Sequence, residues 1–123
     1  MKKLLVSLSL VIVATLGLSA CSAPAAATKP MTTGTVVVDV RTPGEYAQGH
    51  LEGAINADVE SSTFESQVKE LPTDATYLLY CHSGTRAAAA VSRMTAMGFA
   101  HLTNAGGIDQ AAASTGLAIV TVP

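Results

Sequence analysis

The segment Cys-His-Ser-Gly-Thr-Arg at 81–86 constrains the fold of this 123-residue chain more than any other stretch. An apolar, strand-like run over 75–80 precedes it, and an alanine-rich, helix-forming run over 87–97 follows it. A strand that ends, a short loop with glycine and a helix that begins direct their backbone N–H groups towards one point. Cys81 lies at that point, where positive potential lowers the pKa of a thiol and favours the thiolate. The pattern therefore predicts one reactive sulfur at the start of a helix.

The first 20 residues have the pattern of a secretory signal peptide. Lys2 and Lys3 precede an apolar stretch over 4–18, and Leu-Ser-Ala-Cys at 18–21 resembles a bacterial lipobox. We therefore interpret residues 1–20 as a lipoprotein signal peptide, whose removal leaves Cys21 as a lipid-modified N-terminus. The protein is then expected to be exported and lipid-anchored to the bacterial membrane, facing the periplasm or the cell exterior. The alternative is an uncleaved transmembrane anchor, for which the stretch is short, because a span needs roughly 20 apolar residues.

The rest of the chain divides into a tether and one domain. Residues 21–34 are rich in small residues and proline and have no apolar periodicity, which indicates a flexible tether. Residues 35–123 are predicted to form one small domain. Without Lys2 and Lys3, five basic residues remain against nine acidic ones, a net charge of −4 with neutral histidines. This balance offers no basic patch, so we predict no nucleic-acid partner.

Apolar periodicity and turn residues predict alternating strands and helices in the domain. The predicted strands are 35–40, 54–57, 75–80 and 99–103, and the predicted helices are 43–48, 62–71, 85–97 and 108–113. Thr42 is predicted to cap its helix, with Pro43 at the first helical position, and Gly106 and Gly107 are predicted to form a turn. Short links between alternating elements predict an α/β fold with a parallel sheet and a ligand site beyond the carboxyl ends of its strands.

Cysteine usage leaves two interpretations of Cys81 open. If Cys21 carries a lipid, Cys81 has no partner for a disulfide within the chain. Exported proteins usually pair or avoid their cysteines, so a lone thiol is either a buried structural residue or a functional one. The three histidines are scattered along the sequence and form no metal-binding pattern with this thiol, so no metal or other cofactor is predicted.

Four segments resemble, in order, the motifs of the rhodanese family, and they cover nearly all of residues 36–110. They are Asp-Val-Arg-Thr-Pro-Gly-Glu-Tyr at 39–46, Gly-His-Leu-Glu-Gly-Ala-Ile-Asn at 49–56, Cys-x-x-Gly-x-Arg at 81–86 and Asn-Ala-Gly-Gly-Ile at 104–108. The chain resembles the short, exported, single-domain members. The resemblance implies a small parallel sheet flanked by helices, here N-terminally abbreviated because the usual first helix and strand are missing from the sequence.

The resemblance also implies a sulfurtransferase. Cys81 would take sulfane sulfur from a donor such as thiosulfate and hold it as a persulfide. It would then pass the sulfur to a thiophilic acceptor, which could be cyanide, a small thiol or an acceptor protein. The spacing Cys-x4-Arg is the shorter loop that resembles rhodaneses. Related phosphatases and arsenate reductases use Cys-x5-Arg, whose wider loop accommodates a tetrahedral oxyanion, so the phosphatase interpretation is disfavoured.

Within the loop, we expect His82, Ser83, Gly84 and Thr85 to bind the substrate or the persulfide sulfur, with a solvent-facing position as an equal alternative for His82. Arg86 is open to two interpretations, since it would either bind an anionic donor or brace the loop through backbone carbonyls and Asp39. We favour bracing, because a buried charge at this place needs a partner.

The remaining site residues are expected to support the loop. The resemblance places His50 in a structural Gly-His-x-x-Gly-Ala turn, where a hydrogen-bonded scaffold role is favoured over proton transfer. Arg41 is expected to pair with a carboxylate. The loop lacks the cationic side chains of strong thiosulfate users, which leaves a second function open: a non-catalytic sulfur carrier, or a module that binds a partner protein in the cell envelope.

Overall fold

The computed structural model describes residues 34–122, which form alternating strands and helices. The elements, in chain order, are β1 (Thr35–Asp39), α1 (Pro43–Gln48), β2 (His50–Leu51), β3 (Ile55–Asn56), α2 (Phe64–Val68), β4 (Thr76–Cys81), α3 (Thr85–Ala96), β5 (His101–Gly107), α4 (Ile108–Thr115) and β6 (Ile119–Val120). Four parallel strands form a sheet in the order β3-β1-β4-β5, and β2 pairs with β6 in an antiparallel ribbon. The predicted α/β class with a parallel sheet is confirmed.

Helices cover both faces of the four-stranded sheet. On one face α3 buries Ala87, Ala90 and Met94, which recur at helical spacing, and α2 buries Phe64 and Val68. On the other face α1 and α4 pack against a second apolar cluster. The small alanine side chains let α3 approach the sheet closely, and this approach fixes the position of the loop that precedes the helix.

The second helix is shorter than its apolar pattern predicts. It spans Phe64–Val68 instead of 62–71, and only its two end residues are buried. Leu71 packs on the core from a turn beyond the helix, in which its N–H donates to the carbonyl of Val68. Pro72 follows and cannot continue a helix. The three apolar residues therefore contact the core as predicted, but two of them lie on a short helix and the third lies on the turn that follows it.

The predicted turn at Gly106 and Gly107 is wrong, because both residues belong to β5. That strand spans His101–Gly107 instead of 99–103, and Gly107 pairs with Cys81 across an irregularity in the register of β4. The strand therefore runs past the end predicted for it and places its last residues beside the cysteine loop.

Residues 1–33 and 123 lie outside the described part of the chain. Four predictions concern this part of the chain and stay predictions: the signal peptide, the lipid on Cys21, nearly all of the tether, and the absence of the family's usual first helix and strand. Between residues 34 and 122, no helix combines the length and the hydropathy that crossing a bilayer requires.

Candidate active site

The cysteine loop turns from strand to helix within three residues. Cys81 is the last residue of β4, and Thr85 is the first residue of α3. Gly84 connects them with a φ of +95°, a left-handed conformation that glycine adopts without steric cost. A Cβ at Gly84 would also lie 3.1 Å from the Cα of Gly106. The glycine is thus required both by the turn and by the neighbouring strand.

Backbone N–H groups converge on the sulfur of Cys81. The N–H of Gly84 donates to Sγ at a distance of 2.9 Å, and α3 begins directly beside it. Burial raises the pKa of the Cys81 thiol, but hydrogen bonds from the backbone N–H groups of Ala87, Ser83, Gly84 and Arg86 outweigh burial and lower it. The arrangement favours the thiolate, as the strand–loop–helix pattern predicts.

Cys81 is fully buried, whereas its loop neighbours are on the surface. The exposed fraction of Cys81 is 0%, and its side chain belongs to the apolar core beneath α3. His82, Ser83 and Thr85 are exposed. A donor that approaches the loop therefore meets these three side chains before it meets the sulfur.

Asn104, near the end of β5, forms hydrogen bonds that connect this strand to the cysteine loop. Its side-chain amide donates to the carbonyl of Gly84 at 3.0 Å, and its side-chain oxygen accepts from the N–H of Gly106 at 2.9 Å. Sequence reasoning did not assign a role to Asn104, although it belongs to one of the four family motifs. The hydrogen bonds link the cysteine loop to the strand beside it.

Arg86 forms ion pairs, but with other carboxylates than expected. Both its terminal nitrogens bind Glu45 at 2.8 Å, and one of them also lies 3.2 Å from Glu60. The expected contacts with Asp39 and with backbone carbonyls are wrong, because Asp39 is already bound by Arg41 and the side-chain hydrogen bonds of Arg86 in the described residues go to the two glutamates. Hydrogen bonds from Arg86 outweigh burial and lower the pKa of Glu45 to about 2. Sequence reasoning missed both glutamates; only the presence of Glu45 in a family motif pointed to it.

Asp39 and Arg41 form a buried ion pair below the site. Arg41 binds the carboxylate through Nε at 3.0 Å and through Nη2 at 2.6 Å, and it also donates to the carbonyl of Gly49. The hydroxyl of Tyr80 donates to Asp39 at 2.9 Å and accepts from the N–H of Leu51 at the same distance. The carboxylate expected for Arg41 is thus that of Asp39, and every buried side-chain N or O atom in the described residues has a partner.

His50 is packed into the scaffold between α1 and β2. Its Nδ1 lies 2.8 Å from the carbonyl oxygen of Tyr46, and its ring stacks on the Tyr46 ring with the centroids 3.7 Å apart. The hydroxyl of Tyr46 donates in turn to the carbonyl of Ala54. These contacts are of the kind that a scaffold residue makes.

An open cleft of about 340 Å³ lies beside the loop. It is lined by His82, the residue after Cys81 in the loop, and by Ile108, the residue after Gly107. Its other lining residues include Arg41, Glu45, Gln48 and Ile119. The cleft joins the cysteine loop, α1 and the β2–β6 ribbon.

Comparison with known proteins agrees with this geometry. The rhodanese-like domain family matches residues 23–113. The thiosulfate sulfurtransferase PspE of Escherichia coli is 32% identical over 75 residues, which cover 61% of this chain and 72% of PspE. A sulfurtransferase of Allochromatium vinosum is 33% identical over 85 residues, which cover 69% of this chain and 78% of the relative.

Solved structures give the same result. A structure described as rhodanese with anions from E. coli superimposes with a TM-score of 0.60 at 27% identity, covering 72% of this chain and 99% of that one. A rhodanese-related protein of Thermoplasma volcanium gives a TM-score of 0.61 at 29% identity, over 73% and 87% of the two chains. The chain therefore belongs to the rhodanese-like domain family.

Proposed function

We propose that this protein is a sulfurtransferase that carries sulfane sulfur as a persulfide on Cys81. The observation that carries the proposal is the set of backbone N–H groups around Sγ, whose hydrogen bonds lower the pKa of the thiol. Family membership and relatives named as sulfurtransferases support a sulfur-transfer role.

The first step is an attack of the Cys81 thiolate on the outer sulfur of the donor. With thiosulfate as donor, a bond forms between Sγ and the sulfane sulfur, the S–S bond to the sulfonate sulfur breaks, and sulfite leaves with the electron pair. In the second step an acceptor, either cyanide or a thiolate, attacks the outer sulfur of the persulfide, and the Cys81 thiolate is the leaving group. Neither step needs an oxidant or a metal.

The loop suits the intermediate as well as the attacking group. A persulfide is anionic near neutral pH, and the N–H groups of the loop and of the first turn of α3 are donors for an anion of this size. The exposed hydroxyls of Ser83 and Thr85, 3.5 Å apart, lie at the mouth of the loop, where donor and acceptor arrive. We assign these two hydroxyls and His82 to contacts with the substrate.

A second function is a sulfur carrier without turnover, or a module that docks a partner. Complete burial of Cys81 favours it, because a persulfide below the surface is protected from small acceptors. One experiment distinguishes the two. The protein is incubated with a sulfur donor and its intact mass is measured, and cyanide or a thiol is then added. An adduct of one sulfur atom that is removed with multiple turnovers supports the enzyme, whereas an adduct that persists supports the carrier.

We also propose that the protein is lipid-anchored through Cys21, as the Leu-Ser-Ala-Cys sequence at 18–21 indicates. A Cys21→Ser variant cannot receive the lipid and should move from the membrane fraction to the soluble fraction. Metabolic labelling with a fatty acid, followed by fractionation, measures both effects. Retention of the variant in the membrane would favour an uncleaved spanning segment instead.

A further inference from the structure

The charges around the cleft do not favour a doubly charged donor. Arg41 is the cationic residue that lines the cleft, and it is 6% exposed and bound to Asp39 and to the carbonyl of Gly49. Arg86, in the first turn of α3 directly after the cysteine loop, is bound to Glu45 and Glu60. Among the described residues, therefore, no guanidinium at the cleft is free of a carboxylate partner.

The carboxylate of Glu45 remains charged at neutral pH. The carboxylate of Glu45 lines the cleft, and its pKa is lowered to about 2, chiefly by the hydrogen bonds from Arg86. Residues 34–122 contain nine acidic and four basic residues, a net charge of −5 with neutral histidines. Thiosulfate, a dianion, can accept hydrogen bonds from the backbone N–H groups of the loop at its sulfane end. Its sulfonate end would meet no guanidinium that is free of a carboxylate partner.

The cleft offers apolar contact instead. Ile119 is 47% exposed and lines the cleft. A Cβ at Gly49 would lie 3.2 Å from Cγ2 of Ile119. The absence of a side chain at Gly49 therefore allows Ile119 to pack closely against the C-terminal end of α1. Ile108 is a second aliphatic residue that lines the cleft. The two isoleucines give a small molecule apolar surface next to the cysteine loop.

We propose that the donor is an organic sulfane-sulfur compound that carries at most one negative charge and an apolar group, which packs against Ile108 and Ile119. This inference rests on the proposed function, since it names the donor class of the same site. For an organic thiosulfonate, the Cys81 thiolate bonds to the sulfane sulfur, the S–S bond to the sulfonyl sulfur breaks, and a sulfinate leaves with the electron pair. For an organic persulfide, the leaving group is a thiolate.

Three donors test the inference: thiosulfate, methanethiosulfonate and benzenethiosulfonate. The last two carry the same charge and differ in the apolar group, and the first carries one more charge. The initial rate of persulfide formation on Cys81, followed by intact mass, is divided by the rate of each donor with free glutathione to remove intrinsic reactivity. We expect benzenethiosulfonate to exceed methanethiosulfonate by about tenfold, the size of effect that a small apolar group has in a pocket, and thiosulfate to be the slowest.

Two variants locate the effect. Ile119→Thr keeps a β-branched residue in β6 but removes apolar contact, and it should abolish most of the preference for benzenethiosulfonate. Ile55→Thr is the matched control, because Ile55 is also exposed, at 38%, and does not line the cleft. If thiosulfate equals or exceeds benzenethiosulfonate, or if both variants behave alike, the donor class is wrong while the sulfurtransferase function stands. If no donor produces a persulfide, the proposed function fails, and the inference fails with it.

Discussion

The guanidinium of Arg86 binds the carboxylate of Glu45 through two hydrogen bonds of 2.8 Å, although 41 positions separate the residues. Arg86 lies in the first turn of α3, directly after the cysteine loop. Glu45 lies in the first turn of α1, where its carboxylate also accepts from the N–H and the hydroxyl of Thr42. The ion pair therefore ties the starts of two helices together, one of which carries the reactive sulfur.

Replacing Glu45 by glutamine should lower stability in a pH-dependent way. The pKa of Glu45 is lowered to about 2 in the folded protein, against about 4.3 for a free glutamate, so the ionised carboxylate stabilises the fold above about pH 4.5. This contribution is lost as the pH falls towards 2. Because the side chains of Arg86 and Glu45 are 25% and 33% exposed, we expect a loss of at most about 1 kcal/mol at pH 7.

Denaturant unfolding of the wild type and of Glu45→Gln between pH 7 and pH 2 measures this effect. The two free energies of unfolding should differ at neutral pH and converge in acid. Glu52→Gln is the control, because Glu52 is exposed and forms no ion pair within the described part of the chain. A difference that stays constant with pH would show that Glu45 acts by packing and capping, and not by its charge.

The thiol of Cys81 should ionise below the ordinary cysteine pKa of about 8.5, because backbone N–H groups stabilise the thiolate. In a Cys21→Ser background Cys81 is the only thiol, so the rate of alkylation by iodoacetamide against pH reports its pKa. The rate should level off at a lower pH than that of glutathione. Burial will also slow the absolute rate of alkylation, so the pH at which the rate levels off is compared and not the rate itself.

Cys81→Ser in the same background provides the control for this titration. It should remove both the alkylation and the persulfide, and it should leave the fold intact because serine is nearly isosteric. A midpoint at or above about 8.5, together with no persulfide under excess donor, would make Cys81 a packed structural thiol.

Local patterns predicted the elements but not their long-range partners. The strand, loop and helix around Cys81 follow from neighbouring residues, and so does the cap of Thr42 on α1, which is confirmed. The partner of Arg86 does not, since Asp39 and Glu45 are both carboxylates in the same motif and only the packed structure decides between them. The pairing of His50–Leu51 with Ile119–Val120 joins distant segments too short to show periodicity.

The wrong prediction of a turn at the end of β5 came from two adjacent glycines. Glycine pairs ordinarily mark turns, and Gly106 does have a positive φ of 81°. Gly107, however, is required by a neighbour that lies elsewhere in the sequence, namely the carbonyl of His82. A close approach between two segments leaves no local trace in a sequence, so the strand was predicted to end too early.

Tyr80→Phe should destabilise the protein by about 1–3 kcal/mol, because it leaves the buried N–H of Leu51 without an acceptor and removes a donor from the Asp39 carboxylate. Tyr77→Phe is the matched control. Its hydroxyl makes a single, partly buried hydrogen bond to the carbonyl of Pro72, so a smaller loss is expected. Thermal and denaturant unfolding of both variants measure the difference. Equal losses would mean that the hydroxyl of Tyr80 does not support the Asp39–Arg41 pair.

Gly107→Ala should damage the cysteine loop itself. A Cβ at this position would collide with the backbone carbonyl of His82 and contact the Cα of Ser83, so either the loop or the end of β5 has to shift. Overpacking of this kind costs about 1–3 kcal/mol. Because the shift displaces the N–H groups around Sγ, we also expect the midpoint of the Cys81 titration to rise and persulfide formation to slow by roughly tenfold or more.

Gly44→Ala is the matched control for this substitution. Gly44 is exposed in the first turn of α1, and a Cβ there would have no atom within 4 Å. Alanine is favoured over glycine in a helix by about 0.5–1 kcal/mol, so this variant should be as stable as the wild type or more so, with an unchanged titration. Comparison of the two variants distinguishes Gly107, where a side chain would collide with a neighbouring segment, from Gly44, where a side chain has room. If Gly107→Ala leaves the thiol pKa and the rate of persulfide formation unchanged, the end of β5 does not position the loop.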